Sequence, residues 1–363
     1  MERAAGARLP QLPGRQLGGG RGGRTAGTRR APVEADRLKV LSGDIGGTKT
    51  SLAVIETDGR SVEVSALETF SSREFTRFDD IVTRFLDQHG HDCEQAAFGV
   101  AGPVRAGRAT TTNLPWRLDA EQLAAAFGLR RVWLLNDLEA NAWGITALPP
   151  EDFRVLQAGR ETARGNAAVI AAGTGLGEAG LYWDGERHRP FASEGGHSDF
   201  APATELEIEL LRYLRERHGH VSWERVVSGT GLVNIHAFLS DYRASPTPSW
   251  LAEEMRSGDA AAAISHAARR QDCPLCAEAM ELFVHLYGVE AGNHALKLMA
   301  TGGVFLGGGI APRILDQLEQ PAFLEAFCAK GRMEALMRDM PVRVILNERT
   351  ALYGPALFAA IAV

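Results

Sequence analysis

Apolar and polar positions along this chain alternate between two rhythms. From Lys39 a short apolar run (KVL) leads into GDIGGTKTS, residues 43–51, and a second apolar run, LAVIE, follows. Thr57-Asp58-Gly59 is a turn signal, and Ser61–Ser65 alternates polar and apolar. This pattern predicts strand, glycine loop, strand, tight turn, strand. The rhythm then changes. Over EFTRFDDIVTRFLDQHG, residues 74–90, Phe75, Phe78, Ile81, Val82, Phe85 and Leu86 recur at three and four, predicting a helix that Gly90 ends. Ala96–Val104 is a small-residue strand leading to a Gly102-Pro103 turn, and Thr112–Trp116 is a loop. Asp119 caps a short helix, with Gln122 at the capping-box position and Gly128 past its end. Arg131–Leu135 is a buried strand that stops on Asn136-Asp137, and LEANAWGITAL continues as a helix.

The opening pattern returns at residues 167–191. AAVIA is a strand, AGTGLG a glycine loop with a threonine, EAGLYW a strand, Asp184-Gly185 a turn and ERHRPF a third strand. Two like units, each with a loop shaped for phosphate, carry more weight than either alone. Gly175-x-Gly177-x-x-Gly180 matches the dinucleotide fingerprint formally, but that motif requires a helix directly after the loop, and a strand follows here. Thr204 opens a helix with Leu206, Leu210, Leu211 and Leu214 on one face, and residues 232–300 read as mostly helical. Gly303–Ile310 is a strand running into a third glycine loop, after which Ala311-Pro312-Arg313 opens a helix. Val342–Leu346 is a late strand and Ala351–Ala360 a terminal helix. The fold class is α/β.

Composition narrows the functions. At 363 residues, with 45% apolar and 23% charged positions, the chain has the make-up of a globular protein of about two domains. The net charge is −6; residues 1–38 contribute +5, from eight Arg against three acids, so the rest carries −11. An acidic body argues against nucleic acid as a partner. No apolar run reaches the roughly 18 residues of a membrane span, and the first residues lack the apolar core of a secretory signal. Residues 1–38, rich in Arg and Gly, cannot bury a core and read as a disordered arm, either a basic tail or an extension from an upstream start codon. Four cysteines are too few for a disulfide framework in a chain this long, which favours a reducing, cytoplasmic setting. Cys273-Pro-Leu-Cys276 has redox or half-zinc spacing, but no second such pair accompanies it and its flanks read as helical, so neither a metal nor a redox role is expected.

The candidate chemistry lies in the loops. In the first, Gly46 and Gly47 let backbone N–H groups close on a phosphate, Thr48 adds a hydroxyl, and Asp44 can hold Mg²⁺ through water. Asn136-Asp137 sits just past the carboxyl end of a strand, where open α/β sheets bind ligands; the same pair also suits a helix N-cap. Glu194, His197 and Glu224 read equally as a turn acid, a core histidine and a helix-start acid when taken singly.

Eight stretches, taken in order, resemble the bacterial glucokinases of the hexokinase and actin-like ATPase superfamily. They are GDIGGTKTS (43–51), GVAGPV (99–104), TNLPW (112–116), LLNDLEANAWG (134–144), AAGTGLGEAGLYW (171–183), SEGGHSDFAP (193–202), ERVVSGTGLVNI (224–235) and GGVFLGGGIAPR (302–313). The resemblance implies two ribonuclease H-like α/β domains around a cleft: 39–146 plus 345–363 as the smaller and 147–344 as the larger. It implies ATP- and Mg²⁺-dependent phosphorylation of glucose at the 6-hydroxyl, feeding glycolysis, by a homodimer. Asp137 would be the catalytic base. Asn136, Glu194, His197 and Glu224, with Asn113, would hold the sugar. Gly43, Asp44, Ile45, Gly46, Gly47 and Thr48 would bind ATP phosphates, and Gly173, Thr174, Gly175, Gly308 and Gly309 would line the rest of the nucleotide site. The cysteine cluster that related repressors and sugar kinases pair with the EGGH histidine to bind zinc is missing, so the resemblance implies that His197 would hold the sugar rather than zinc. Thr230 stands where a proline is often seen, with little effect expected. The rivals are a kinase for fructose, mannose or an N-acetylhexosamine, a non-catalytic sugar sensor, and an actin-like filament protein.

Overall fold

The computed structural model describes residues 37–90, 92–111, 114–160 and 164–362. Residues 1–36, most of the arm, lie outside them, as does Asn113. The first unit is an antiparallel meander: β1 (Leu38–Ile45), β2 (Lys49–Thr57) and β3 (Val62–Ser71). Helix α1 (Phe78–His89) leads to β4 (Gln95–Val100), which pairs parallel to β1. A small three-stranded sheet follows, β5 (Val104–Arg105), β6 (Arg108–Thr110) and β7 (Arg117–Asp119). After α2 (Ala120–Phe127), β8 (Arg131–Asn136) pairs parallel to β4 and gives way at once to α3 (Asp137–Ile145). The first sheet thus runs β3-β2-β1-β4-β8.

The second sheet repeats the scheme. An edge strand, β9 (Phe153–Gln157), precedes the meander β10 (Ala167–Ala172), β11 (Leu176–Trp183) and β12 (His188–Ser193). A helical layer intervenes: α4 (Glu205–His218), α5 (Gly229–Tyr242), α6 (Ser249–Ser257), α7 (Ala260–Arg269) and α8 (Pro274–Leu298). Then come β13 (Gly303–Gly307), the short helices α9 (Leu315–Leu318), α10 (Pro321–Cys328) and α11 (Glu334–Asp339), β14 (Val342–Ile345) and α12 (Thr350–Ile361). The order is β12-β11-β10-β13-β14-β9, with β13 and β14 parallel to β10. The repeated unit expected from sequence is therefore present, and the strand directly after the fingerprint-like glycines is β11.

Each sheet has its own core. Leu41, Ile45, Phe78, Phe85 and Phe98 fill the first. Ile170, Trp223, Phe283, Tyr287 and Phe323 belong to the second. The helices after β8 and β14 are exchanged between the sheets. α3 follows the first sheet, yet Ala142 and Ile145 pack with Val169, Ala179 and Leu181 of the second. α12 follows the second, yet Leu352, Ala356 and Ala359 pack on Val40, Ile55 and Ala97 of the first. The two helices cross at glycines. A Cβ on Gly144 would overlap the Thr350 carbonyl, and one on Gly354 would overlap the Ala140 carbonyl.

Several elements differ from the sequence expectation. α1 begins at Phe78, not near Glu74, because Arg77 is extended and Asp79 and Asp80 take the first turn, where the helix dipole favours acids. Phe75 instead meets Phe70 edge-on, with ring centroids 5.9 Å apart. The Ala-rich stretch after Arg256 breaks at Gly258, and Asp259 caps α7 by accepting from Ala262 N at 3.1 Å. The third glycine loop opens a 3-10 turn, Ala311–Ile314, and then the single turn of α9, so no long helix dipole faces that loop. Gln122 N does meet the Asp119 cap, at 3.3 Å, and Gly128 closes α2 in the left-handed region at φ 67°.

The glycine crossing generates a prediction. Gly354→Ala is expected to lower unfolding stability by about 1–3 kcal/mol or more, because the clash is with backbone and nothing flexible can yield. Urea denaturation measures it; an unchanged midpoint would show that the helices are not held this closely.

Candidate functional site

Strand order brings three carboxyl ends together. β1, β4 and β8 are neighbouring parallel strands, with Asp44 opposite Gly99 and Val100 opposite Asn136. Asp44 and Asp137 therefore emerge at one edge. No ion pair involves Asp44, Asp137 or Glu194 among the described residues. Burial, and then the Asp137 charge, raise Asp44 from 3.8 to about 6. Burial also raises Asp137 from 3.8 to about 6, with the Glu194 charge adding and the Leu138 N–H opposing. Three acids thus share one electrostatic environment without a cation.

Asn136 is the N-cap of α3. Its Oδ1 accepts from Leu138 N at 3.0 Å and Glu139 N at 3.3 Å, and its Nδ2 donates to Gly102 O at 3.4 Å. The capping reading of this pair is thus correct for Asn136. Asp137 Oδ1 accepts from Leu138 N at 2.9 Å, leaving Oδ2 outside that bond.

The first glycine loop divides in two. Gly43 and Ile45 are buried strand residues: a Cβ on Gly43 would lie 2.7 Å from Leu52 and Phe98 side-chain atoms, and Ile45 points into the core. Their sequence requirement is explained by packing. Only Gly46, Gly47 and Thr48 form the turn proper, closed by Gly46 N donating to Lys49 O at 3.0 Å.

The second and third loops follow β10 and β13, again adjacent parallel strands, and both line one cavity of about 1250 Å³. Gly173, Thr174 and Gly309 face it, together with Thr230, Ser265, His266 and Phe283 from α5, α7 and α8. The glycines of these two loops differ. Gly308 has φ +77° and a Cβ there would strike the Ala172 carbonyl, whereas nothing lies within 4 Å of a Cβ on Gly173 or Gly309. The Gly173 N–H already donates to Gly175 O at 2.8 Å and its carbonyl accepts from Gly229 N at 2.8 Å, so of the two it is Gly309 that presents open backbone.

The loop bearing Glu194 and His197 is clamped from below. A Cβ on Gly195 would overlap Glu178 Oε2, and one on Gly196 would overlap the Leu176 carbonyl. These glycines serve close packing rather than flexibility. Glu194 and His197 flank the clamp and are exposed. Glu224 reaches the second glycine loop, accepting from Leu176 N at 3.0 Å through Oε2, beside Gly175. It joins the sheet that holds the cavity to the loop at residues 193–197.

Sequence reasoning missed the floor of this loop. Glu178 is 1% exposed and sits beside Glu290, also buried. Burial and the Glu290 carboxyl push Glu178 up, and burial pushes Glu290 up as well. His294 Nδ1 lies 3.2 Å from Glu178 Oε2, and its Nε2 is 3.0 Å from Ala179 O. The signal was available: an acid inside the otherwise apolar run of EAGLYW. Thr230, Ser265 and His266 gave no comparable signal, because only the packing of three helices brings them together.

A family model described as Glucokinase matches residues 41–362. The glucokinase of Nostoc punctiforme is 41% identical over 336 residues, spanning 88% of this chain and 98% of its own. That of Synechocystis is 41% identical over 348 residues, spanning 89% and 98%. Among solved structures, a glucokinase from an Antarctic psychrotroph aligns with a TM-score of 0.78 at 30% identity, over 89% of this chain and 98% of that one. A ROK-family glucokinase from Streptomyces griseus, solved with glucose and AMPPNP, shares the fold at a TM-score of 0.58 and 22% identity, over 88% and 98%.

The shared acidic environment has a cost that depends on pH. Both Asp44 and Asp137 are raised from 3.8 to about 6, so the native state holds protons that the unfolded chain has released. Their contribution is most favourable below the unfolded value and is lost as pH rises through the folded one. Asp44→Asn is therefore expected to raise the Tm relative to wild type at about pH 8 and to leave it unchanged near pH 3.5. Thermal scans at the two pH values decide it; equal shifts at both would contradict the burial argument.

Proposed function

The chain belongs to the glucokinase family, and we propose how its residues carry that family's reaction. The activity is transfer of a phosphoryl group from ATP to D-glucose, giving glucose 6-phosphate. The observation that carries our assignment is Asp137: a half-buried carboxyl at the junction of β8 and α3, raised to about 6 and beside two further acids.

Phosphoryl transfer leaves little covalent work for a protein, so positioning and charge neutralisation dominate. Asp137 accepts the proton of the 6-hydroxyl as the bond to phosphorus forms. Leu138 N holds Oδ1, which fixes the carboxylate plane and leaves Oδ2 for the sugar. Asn136 offers an amide N–H, while its oxygen keeps the helix start in place. Glu194 and His197, on their clamped loop, and Glu224, through Oε1, take other sugar hydroxyls. Asn113 joins them in the assignment but lies outside the described residues. An epimer would leave one of these groups unpaired, at about 1–3 kcal/mol, which supports choice of one hexose.

Gly309 presents open backbone to the nucleotide phosphates, with Thr174 nearby and the uncrowded Gly173 leaving room for their approach; Gly175 and Gly308 shape those loops. Gly46, Gly47 and Thr48 approach from the other sheet. Mg²⁺ fits the acids at the edge, since Asp44 and Asp137 lack a cationic partner, and Asp44 would hold it through water. When bound, the ion would neutralise phosphate charge.

Two bodies, 39–146 with 345–363 and 147–344, close over the substrates and exclude water; the separate cores of the two sheets support this division. Family resemblance supports a homodimer. Four buried free cysteines support a cytoplasmic setting, and among the described residues no helix is long and apolar enough to cross a membrane.

A coupled ADP-release assay over glucose, fructose, mannose and N-acetylglucosamine tests the substrate. Asp137→Asn is expected to lower glucose turnover at least about a hundredfold while glucose still binds. Retained turnover would remove Asp137 as the base, and binding without turnover in wild type would favour a sugar sensor. In wild type, kcat/KM should fall below about pH 6, as Asp137 takes up its proton. The glycines separate a second pair of outcomes. Gly309→Ala should raise the KM for ATP with an unchanged Tm, whereas Gly308→Ala should lower the Tm. The reverse pattern would move the phosphate site elsewhere.

A further inference from the structure

Away from this chemistry, three ligand-forming side chains meet in the helical layer. Cys273, Cys276 and His236 are 2%, 0% and 1% exposed. One ring nitrogen of His236 and the Sγ atoms of both cysteines all lie within 4.8 Å of one another. Cys273 is the N-cap of α8, its sulfur accepting from Cys276 N at 3.3 Å. His236 belongs to α5 and comes from a different part of the chain. Its Nε2 is buried without a hydrogen-bond partner. Buried imidazoles ordinarily find one, so this atom is the independent sign that the group is incomplete.

We propose that His236, Cys273 and Cys276 bind one thiophilic d¹⁰ cation, with Zn²⁺ as the probe, and that it staples α5 to α8. Two thiols and an imidazole are the donor set such an ion takes, and three protein donors leave one position of a tetrahedral ion for another ligand. Binding releases the two thiol protons to solvent as two metal–sulfur bonds form, so no oxidant is required. Burial of all three donors gives the site a structural rather than a catalytic role. Its place gives it a consequence. Leu232 and Val233 lie one turn earlier on α5, and Met280 and Phe283 follow Cys276 by one and two turns on α8; all four line the large cavity. The ion would tie together two walls of that cavity from behind. His197 takes no part, so this site is separate from the loop at residues 193–197.

The test uses the full chain, reduced and stripped of metal, then titrated anaerobically with Zn²⁺ against a chromophoric chelator. Co²⁺ serves as a spectroscopic replacement. Wild type should take up about one ion per chain, show a thiolate-to-cobalt charge-transfer band and gain Tm on metal addition. Cys273→Ser with Cys276→Ser should lose the band, and His236→Ala should weaken binding at least about tenfold. Uptake by wild type below about a tenth of an equivalent would overturn the proposal whatever the variants do. So would an unchanged band in the double variant, or a native protein isolated with a Cys273–Cys276 disulfide.

Discussion

One helix crossing organises the molecule. α3 leaves the first sheet, packs on the second, and crosses α12, which makes the opposite exchange. Such an arrangement requires backbones to approach where side chains would normally keep them apart. Glycines make that possible on three sides of α3. Gly354 lies against its Ala140 carbonyl, Gly99 on β4 would bring a Cβ within 2.8 Å of the Ala140 side chain, and Gly177 on β11 faces Leu138. The helix is clasped by both sheets and by its counterpart. Its first residue, Asp137, consequently begins a helix packed tightly on both sides. Close packing around the start of α3 thereby sets the position of the group proposed to perform the chemistry, a Cβ on Gly99 falling 3.8 Å from Asp137 Cα.

That position carries an electrostatic penalty. Asp44, Asp137 and Glu194 are brought near one another with no compensating cation, and two of the three are pushed above the ordinary carboxylate range. Sites whose groups are held away from their preferred protonation are typical of chemistry rather than of structural support. A second acidic pair, Glu178 with Glu290, lies beneath the loop that flanks the proposed sugar site. There burial pushes both acids upward, the Glu290 carboxyl adding to the effect on Glu178, and Glu178 packs directly beneath Gly195 of that loop. The two acidic groupings differ in place: Glu178 and Glu290 are buried in the core, while Asp137 is half-buried and Glu194 exposed at the edge of the sheets.

Much of this was legible in the sequence, and the reason is locality. Strand, loop, strand and turn are written within ten or twenty residues, so the repeated unit, the Asp119 cap and the Asn136-Asp137 junction could be read directly. The ordered motifs carried the family. Features that depend on distant partners could not be read. Nothing near Gly144 announces Thr350, and nothing near Gly195 announces Glu178 beneath it. A glycine run looks alike in sequence whether its missing side chains make room for a ligand or, as a Cβ on Gly43 shows, for Phe98 and Leu52. The helix expected after the third glycine loop shrank to a 3-10 turn for a similar reason: local signals for opening a helix do not reveal how far packing lets it extend. The cavity wall from α5, α7 and α8 arises only when three separate helices are assembled.

The account rests on Asp137 meeting the hydroxyl that becomes phosphorylated. A crystal structure of the full chain with glucose and a non-hydrolysable ATP analogue tests this directly. The account predicts Asp137 Oδ2 within about 2.6–3.2 Å of the 6-hydroxyl oxygen, with the terminal phosphate on the other side of that oxygen. A glucose whose 6-hydroxyl faces another carboxylate, with Asp137 turned away, would contradict it.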